Sequence, residues 1–184
     1  MYPYPLPHTV SNKFGETIIF KEKIEEDGEM KMITEGIVKP DSGTVMHVHF
    51  KQDEGFTVVK GKMGYQIKGE EAQFLEVGES CTFPRGQMHK FWCAGEEDLY
   101  IKGWLKPANS LDYFLTKLYA SMDKAGKESG DPFDSAFLIT KYKSEYDVDI
   151  IPTFVKKVVM PITVFIGKLL GKYKHFEDAP DAVK

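Results

Sequence analysis

Two hydrophobic periodicities divide the chain. Up to Trp104, apolar and polar residues alternate in short runs broken by Gly, Pro and Asp, the period of half-buried strands. Runs at 16–24 and 29–38 flank Glu26-Asp27-Gly28, a turn suited to a hairpin. Further runs follow at 44–50, 55–60, 63–68, 71–77, 80–83, 89–93 and 99–105. Gly- and Pro-bearing turns separate them, among them Lys39–Gly43, Lys60–Lys62 and Pro84-Arg85-Gly86. Closely spaced short strands of this kind predict one antiparallel sandwich or barrel and no βαβ units. No internal repeat is visible, so one β unit is expected.

After Pro107 the period becomes helical. Asn109-Ser110 reads as a cap, followed by Leu111, Phe114, Leu115, Leu118, Tyr119 and Met122 on one face. Asp131-Pro132 is a second cap, with proline at the first helical position before Phe133, Ala136, Phe137 and Thr140. A third segment begins near Pro152, where Ile151, Val155, Val158, Ile162, Phe165 and Leu169 form a narrow stripe that predicts docking on another surface. Pro161 should kink this segment or divide it into two short helices. The expected organisation is a β unit over 1–107 and a helical extension over 108–184.

Composition narrows the function classes. With 184 residues, 42% hydrophobic and 28% charged, the chain is neither disordered, collagen-like nor wholly membrane-embedded. Net charge is −4, which argues against nucleic-acid binding through bulk positive charge. The acid sits in the first part: 1–104 carries 12 Lys/Arg against 17 Asp/Glu, and 105–184 carries 12 against 11. Two cysteines, Cys81 and Cys93, are too few for a disulfide framework and suit a reducing compartment. The start, Met1 to Pro7, lacks a basic region followed by an apolar run, so no secretory leader is visible and the cytoplasm is the expected location. The longest uncharged apolar stretch, 158–167, is shorter than the roughly 18–20 residues needed to span a bilayer.

Candidate chemistry concentrates in two segments. On a strand His47 and His49 point the same way and can share one ion, and Glu54 can return after a tight turn to meet them. Gly78 to His89 then places another imidazole on a later strand. Three imidazoles and a carboxylate make a mixed N/O site suited to a divalent transition metal.

The spacing reads G-x3-H-x-H-x4-E-x6-G from Gly43 to Gly61, then G-x5-P-x-G-x2-H from Gly78 to His89. This resembles the two-part signature of the cupin superfamily, in the compact form of small bacterial single-domain members, over roughly 39–105. Two positions depart from it: the first glycine stands four residues before His47 where six is usual, and Cys93 replaces the customary asparagine. The resemblance implies a mainly β fold, a jelly-roll barrel with a metal inside, here followed by a C-terminal helical extension. It also implies His47, His49, Glu54 and His89 as ligands of one divalent ion per chain, Fe, Mn, Ni or Zn.

Parity with the ligands puts Val45, Phe56, Val58, Gln87, Phe91 and Cys93 on the cavity wall. Tyr100 and Lys102, or Tyr65 and Ile67, are further candidates. An aromatic wall predicts a partly apolar small-molecule ligand. Within the family the expected activity is dioxygenase-like, with Glu54 able to act as base. The second reading is a non-catalytic metal-dependent sensor whose helical tail binds a partner. Homodimerisation is the expectation that the resemblance carries. Residues 150–175 hold five lysines and no acid, a pattern that fits either an anionic membrane surface or a helix packed on protein with lysines outside, and packing is the expectation.

Overall fold

The computed structural model describes residues 4–184; the reading of Met1 to Pro7 as lacking a secretory leader falls in part on residues 1–3, which lie outside the described residues. Each of the runs that read as strands is one: β2 (Glu16–Glu26), β3 (Glu29–Val38), β4 (His47–His49), β5 (Asp53–Lys60), β6 (Met63–Ile67), β7 (Gln73–Leu75), β8 (Ser80–Phe83), β9 (His89–Cys93) and β10 (Leu99–Lys106). Two strands were not foreshadowed by the pattern, β1 (His8–Ser11) and β11 (Tyr146–Val148). The β2–β3 hairpin turns on Asp27 and Gly28, both at positive φ (54° and 79°), the two-residue geometry that suits a right-twisted ribbon.

The strands form two sheets. One has six strands in the order β1-β2-β3-β10-β5-β8, the other five in the order β11-β4-β9-β6-β7. Among the described residues no ladder joins the sheets, so the expected closed barrel is an open sandwich of jelly-roll type. Closure fails because each sheet ends in strands without a partner in the other, β1 and β8 on one side, β11 and β7 on the other. Between the sheets Val38, Phe56, Val58, Met63, Phe83, Leu99 and Ile101 are buried together. Gly43 allows one close approach: a Cβ there would lie 2.4 Å from the Phe91 carbonyl oxygen.

The extension opens with α1 (Leu111–Ala125) and α2 (Pro132–Lys141). Asp131 caps α2 as its sequence suggests, accepting hydrogen bonds from the Phe133 and Asp134 amides at 2.9 and 3.3 Å. Ser110 precedes α1 but does not cap it; its hydroxyl is spent on the fully buried Glu145, 3.0 Å away. The other Glu145 oxygen accepts the Val183 amide at 2.9 Å and so pins the end of the chain. α1 lies against the first strands through Val10, Phe20, Met32, Tyr119 and Met122, while Leu105, Tyr113, Leu138, Tyr142 and Phe176 bury each other beside it.

The third segment is one helical rod. A π turn over Val155–Val159 runs into α3 (Met160–Leu169), with Pro161 at the junction. Proline has no N–H to return to the preceding turn, and the backbone answers with wider hydrogen bonding and no gap. The rod packs on α2 and buries Gly167; its stripe, expected to pack on the barrel or on a twin subunit, does not meet the β sheets. Val158, Ile162, Phe165 and Leu169 stay exposed because the face turned to α2 is the opposite one.

A chain ending at residue 107 uncovers Phe20, Met32 and Leu105 and strips β4 of a neighbour. We expect it to aggregate, as read by light scattering and size-exclusion chromatography; a monodisperse, folded 1–107 fragment would contradict this account of the core.

Candidate metal centre

The two-residue period of β4 sends His47 and His49 to one side, and the β4–β9 register sets His47 directly across from His89. Glu54 does not return on a strand neighbouring β4, as the spacing suggests. It comes from β5 in the opposite sheet, so the site lies between the sheets. Potential ligand atoms of His47, His49 and Glu54 lie within 4.8 Å of one another. His89 joins through Glu54, with Nε2 2.9 Å from Oε2, and the same oxygen is 3.9 Å from His49 Nε2. His49, Glu54 and His89 are buried; His47 is half-buried.

Each imidazole is oriented by its other nitrogen. Nδ1 of His47 lies 2.8 Å from the Val45 carbonyl oxygen, Nδ1 of His89 2.9 Å from that of Gln87, and Nδ1 of His49 3.3 Å from Gln52 Oε1. A ring whose Nδ1–H donates to a carbonyl can offer Nε2 to a metal; His49 Nε2 stands 3.9 Å from the Glu54 carboxylate, and His89 Nε2, at 2.9 Å, donates to it the proton that a bound cation would replace. This is how metal-ligating histidines are held. Gln52 is itself buried and fixed, its amide donating to the Pro107 carbonyl at 2.8 Å. Gly86, at φ 85°, donates its amide to the His49 carbonyl at 2.8 Å, so the Pro84-Arg85-Gly86 turn braces the ligand strand.

Electrostatics agree with this reading. Burial, helped by the neighbouring His49 and His89, pulls the His47 imidazole down to about 3, and burial lowers His49 as well. Burial pushes the Glu54 carboxyl up, but His49 and the His89 hydrogen bond outweigh it and hold the group at about 2. Neutral His47 and His49 beside an ionised Glu54 are the protonation states in which these groups bind a cation. The donor set therefore fits a first-row divalent ion, with His47, His49, Glu54 and His89 as the residues that would hold it.

The site opens into a cavity of about 410 Å³. Val45, Phe56 and Phe91 line it, as parity predicts. Val58 and Cys93 do not: they point inward but pack in the core behind it, and the Cys93 thiol lies 3.1 Å from the Glu97 carbonyl. Gln87 contributes its backbone to His89 and is absent from the wall. Tyr65 and Ile67 pack against the core, Lys102 is exposed, and it is Ile101 and Leu105 of β10 that reach the cavity. Facing inward on a sheet and facing the cavity differ, because side chains fill much of the sandwich interior.

The far wall belongs to the extension, through Leu111, Phe114 and Leu118 of α1 with Tyr142 and Tyr146. Tyr146 sets its ring edge-on to His49, with centroids 5.3 Å apart. Polar groups stand among the apolar ones, including Glu16, whose carboxyl is raised by burial despite hydrogen bonds from Asn12 (2.8 Å) and Tyr119. The apolar face of α1 is plain in its periodicity, but nothing there says that it covers a cavity. Gln52 carried no signal, since its role depends on the turn between β4 and β5.

Removing His89 or His47 by substitution with alanine should abolish stoichiometric metal, measured by inductively coupled plasma mass spectrometry on folded protein. Gln52→Ala should weaken metal binding by about 10- to 100-fold while leaving every ligand in place, as competition with a chromogenic chelator would show. Unchanged affinity in Gln52→Ala would contradict the orienting role. In chelator-treated protein, His47 and His49 titrate below 6.5, so the unfolded chain binds more protons in the acid range. Stability should therefore fall as pH drops from 6.5 towards 4, and a flat thermal midpoint over that range would refute the buried neutral imidazoles.

Comparison with known proteins bears on this geometry. Residues 34–102 match the cupin domain family. A probable oxidoreductase, virH, of Hypocrea virens is 32% identical over 108 residues, covering 54% of this chain and 48% of its own length. The oxidoreductase iacF of Pestalotiopsis fici is 33% identical over 76 residues, 40% of this chain and 37% of its own. The chain thus spans about half or less of the curated relatives it matches. Among solved structures, KdgF from Halomonas sp. aligns with a TM-score of 0.49 at 17% identity, covering 57% of this chain and 92% of its own. This chain thus carries a match to the cupin domain over residues 34–102, with an extension built mainly of helices behind it.

Proposed function

We propose that this chain is a metal-dependent oxidoreductase with dioxygenase-type chemistry on a small, largely apolar substrate. The observation that carries the reading is the gathering of three imidazoles around one carboxylate beside an apolar cavity. The names of the two curated relatives support an oxidoreductase. When bound, a divalent first-row ion supplies open coordination positions and redox capacity.

The chain's own residues would do the rest. Phe56, Phe91, Phe114 and Tyr146 exclude water and hold the apolar body of the substrate. Glu54, ionised at neutral pH, can accept the proton of an acidic substrate hydroxyl or enol. Glu16 offers a hydrogen-bond acceptor elsewhere on the wall, so the favoured substrate carries a donor at a distance from its reacting end. Both atoms of dioxygen enter the product in such a reaction, and no external reductant is needed.

A metal-dependent sensor is the second reading, favoured by an extension that encloses the cavity with two helices and a strand. Oxygen uptake separates the two. Metal-loaded protein should consume dioxygen with at least one of a panel of phenols, flavonol-like enols, thiols and β-diketones, and His47→Ala should abolish it. Stoichiometric metal and ligand binding without turnover across the panel would overturn the enzyme in favour of the sensor.

A further inference from the structure

The rod of π turn and α3 is apolar on two faces. One is spent on α2, and Gly167 is buried where the Tyr173 ring, from the segment after α3, closes over it. The other faces solvent. Phe154, Ile162, Phe165, Leu169 and Leu170 are 66%, 54%, 63%, 72% and 60% exposed, and Val158 lies between them. Isolated exposed leucines are ordinary, but a contiguous row along one helix face marks a surface that meets something apolar.

Charge identifies the partner. From Ile150 to Phe176 the sequence holds five lysines and no Asp or Glu, in a chain whose net charge is −4. Lys156 is engaged with Asp147 at 2.7 Å, whereas Lys157, Lys168, Lys172 and Lys174 are exposed. In helical projection Lys157 and Lys168 fall along one edge of the apolar row, where long stems can lie beside apolar surface with their ammonium groups at its rim. A second copy of the chain on this face would bring the same lysines together. An anionic surface would neutralise them.

The rod is too short to insert across a bilayer: among the described residues no helix is long and apolar enough to cross one. A helix with an apolar face and a basic rim lies in the plane of the interface. We propose that residues 150–174 are a docking surface for an anionic lipid bilayer, held by the Phe154–Leu170 row and the lysines at its rim. The fold supports this role mechanically, because α2 holds the rod in place before any lipid arrives and the apolar row needs no unfolding to be presented.

The test is flotation of the full chain with vesicles of phosphatidylcholine alone and of phosphatidylcholine with about a third phosphatidylserine. Binding to the anionic vesicles is expected, weakened by raising the salt and absent from the neutral ones. Phe165→Ser with Leu169→Ser, and separately Lys157→Glu with Lys168→Glu, should each reduce binding by at least about tenfold. These side chains are exposed, so far-UV circular dichroism and metal content should not change. Absence of binding, or equal binding to neutral vesicles, would overturn the proposal. So would a stable dimer that dissociates in the Phe165→Ser, Leu169→Ser variant, which would assign the face to self-association.

Discussion

Everything at the centre of this molecule depends on three N–H groups being committed elsewhere. An imidazole can present either nitrogen, and a site built from three free rings would have many arrangements, few of which gather lone pairs at one point. Here Val45, Gln52 and Gln87 each supply a carbonyl oxygen to one Nδ1, and Nε2 of His49 and His89 is left facing Glu54. Two of the three carbonyls belong to the backbone, two residues before the histidine they orient, so the turns leading into β4 and β9 provide them. The third is a side chain, and it needs its own anchor on Pro107.

Burial and charge then act together. Desolvation disfavours protonated His47 and His49, and the same desolvation would disfavour ionised Glu54 were it not for the imidazoles around it. The ionised Glu54 thus sits in an apolar enclosure beside neutral His47 and His49, a situation relieved by a cation. The surrounding cavity, with Phe56, Phe91, Phe114 and Tyr146 on its walls, deepens that preference by keeping water out.

Strand periodicity and turn residues were enough to place β2 to β10, because each strand alternates and each turn carries Gly, Pro or Asp at a position that needs it. The spacing of His47, His49, Glu54 and His89 was equally legible, since period-2 geometry is local. What the sequence concealed is non-local. β1 and β11 have four and three residues, too short for periodicity to register, and they exist only because a partner strand is waiting. Val58 and Cys93 face the right way yet lie in filled interior, a matter of neighbouring volumes that parity ignores. The stripe on the third helical segment was readable, but which of two apolar faces α2 would take was not.

β11 gives the extension its purpose in the sandwich. β4 has three residues and carries two of the four candidate ligands. Paired with β9 alone it would be a short edge strand joined by one register position, free to fray and carry His47 and His49 with it. β11 closes that edge, with Tyr146, Asp147 and Val148 set opposite His49, Val48 and His47, and the Phe50 amide extends the contact to the Glu145 carbonyl at 2.7 Å. Glu145 in turn is held by Ser110 and Val183, so the order of the ligand strand is tied to the docking of the whole helical region. The extension is therefore a structural part of the metal centre, and the precision of the site is set as much by residues 110–183 as by the two motifs that announce it.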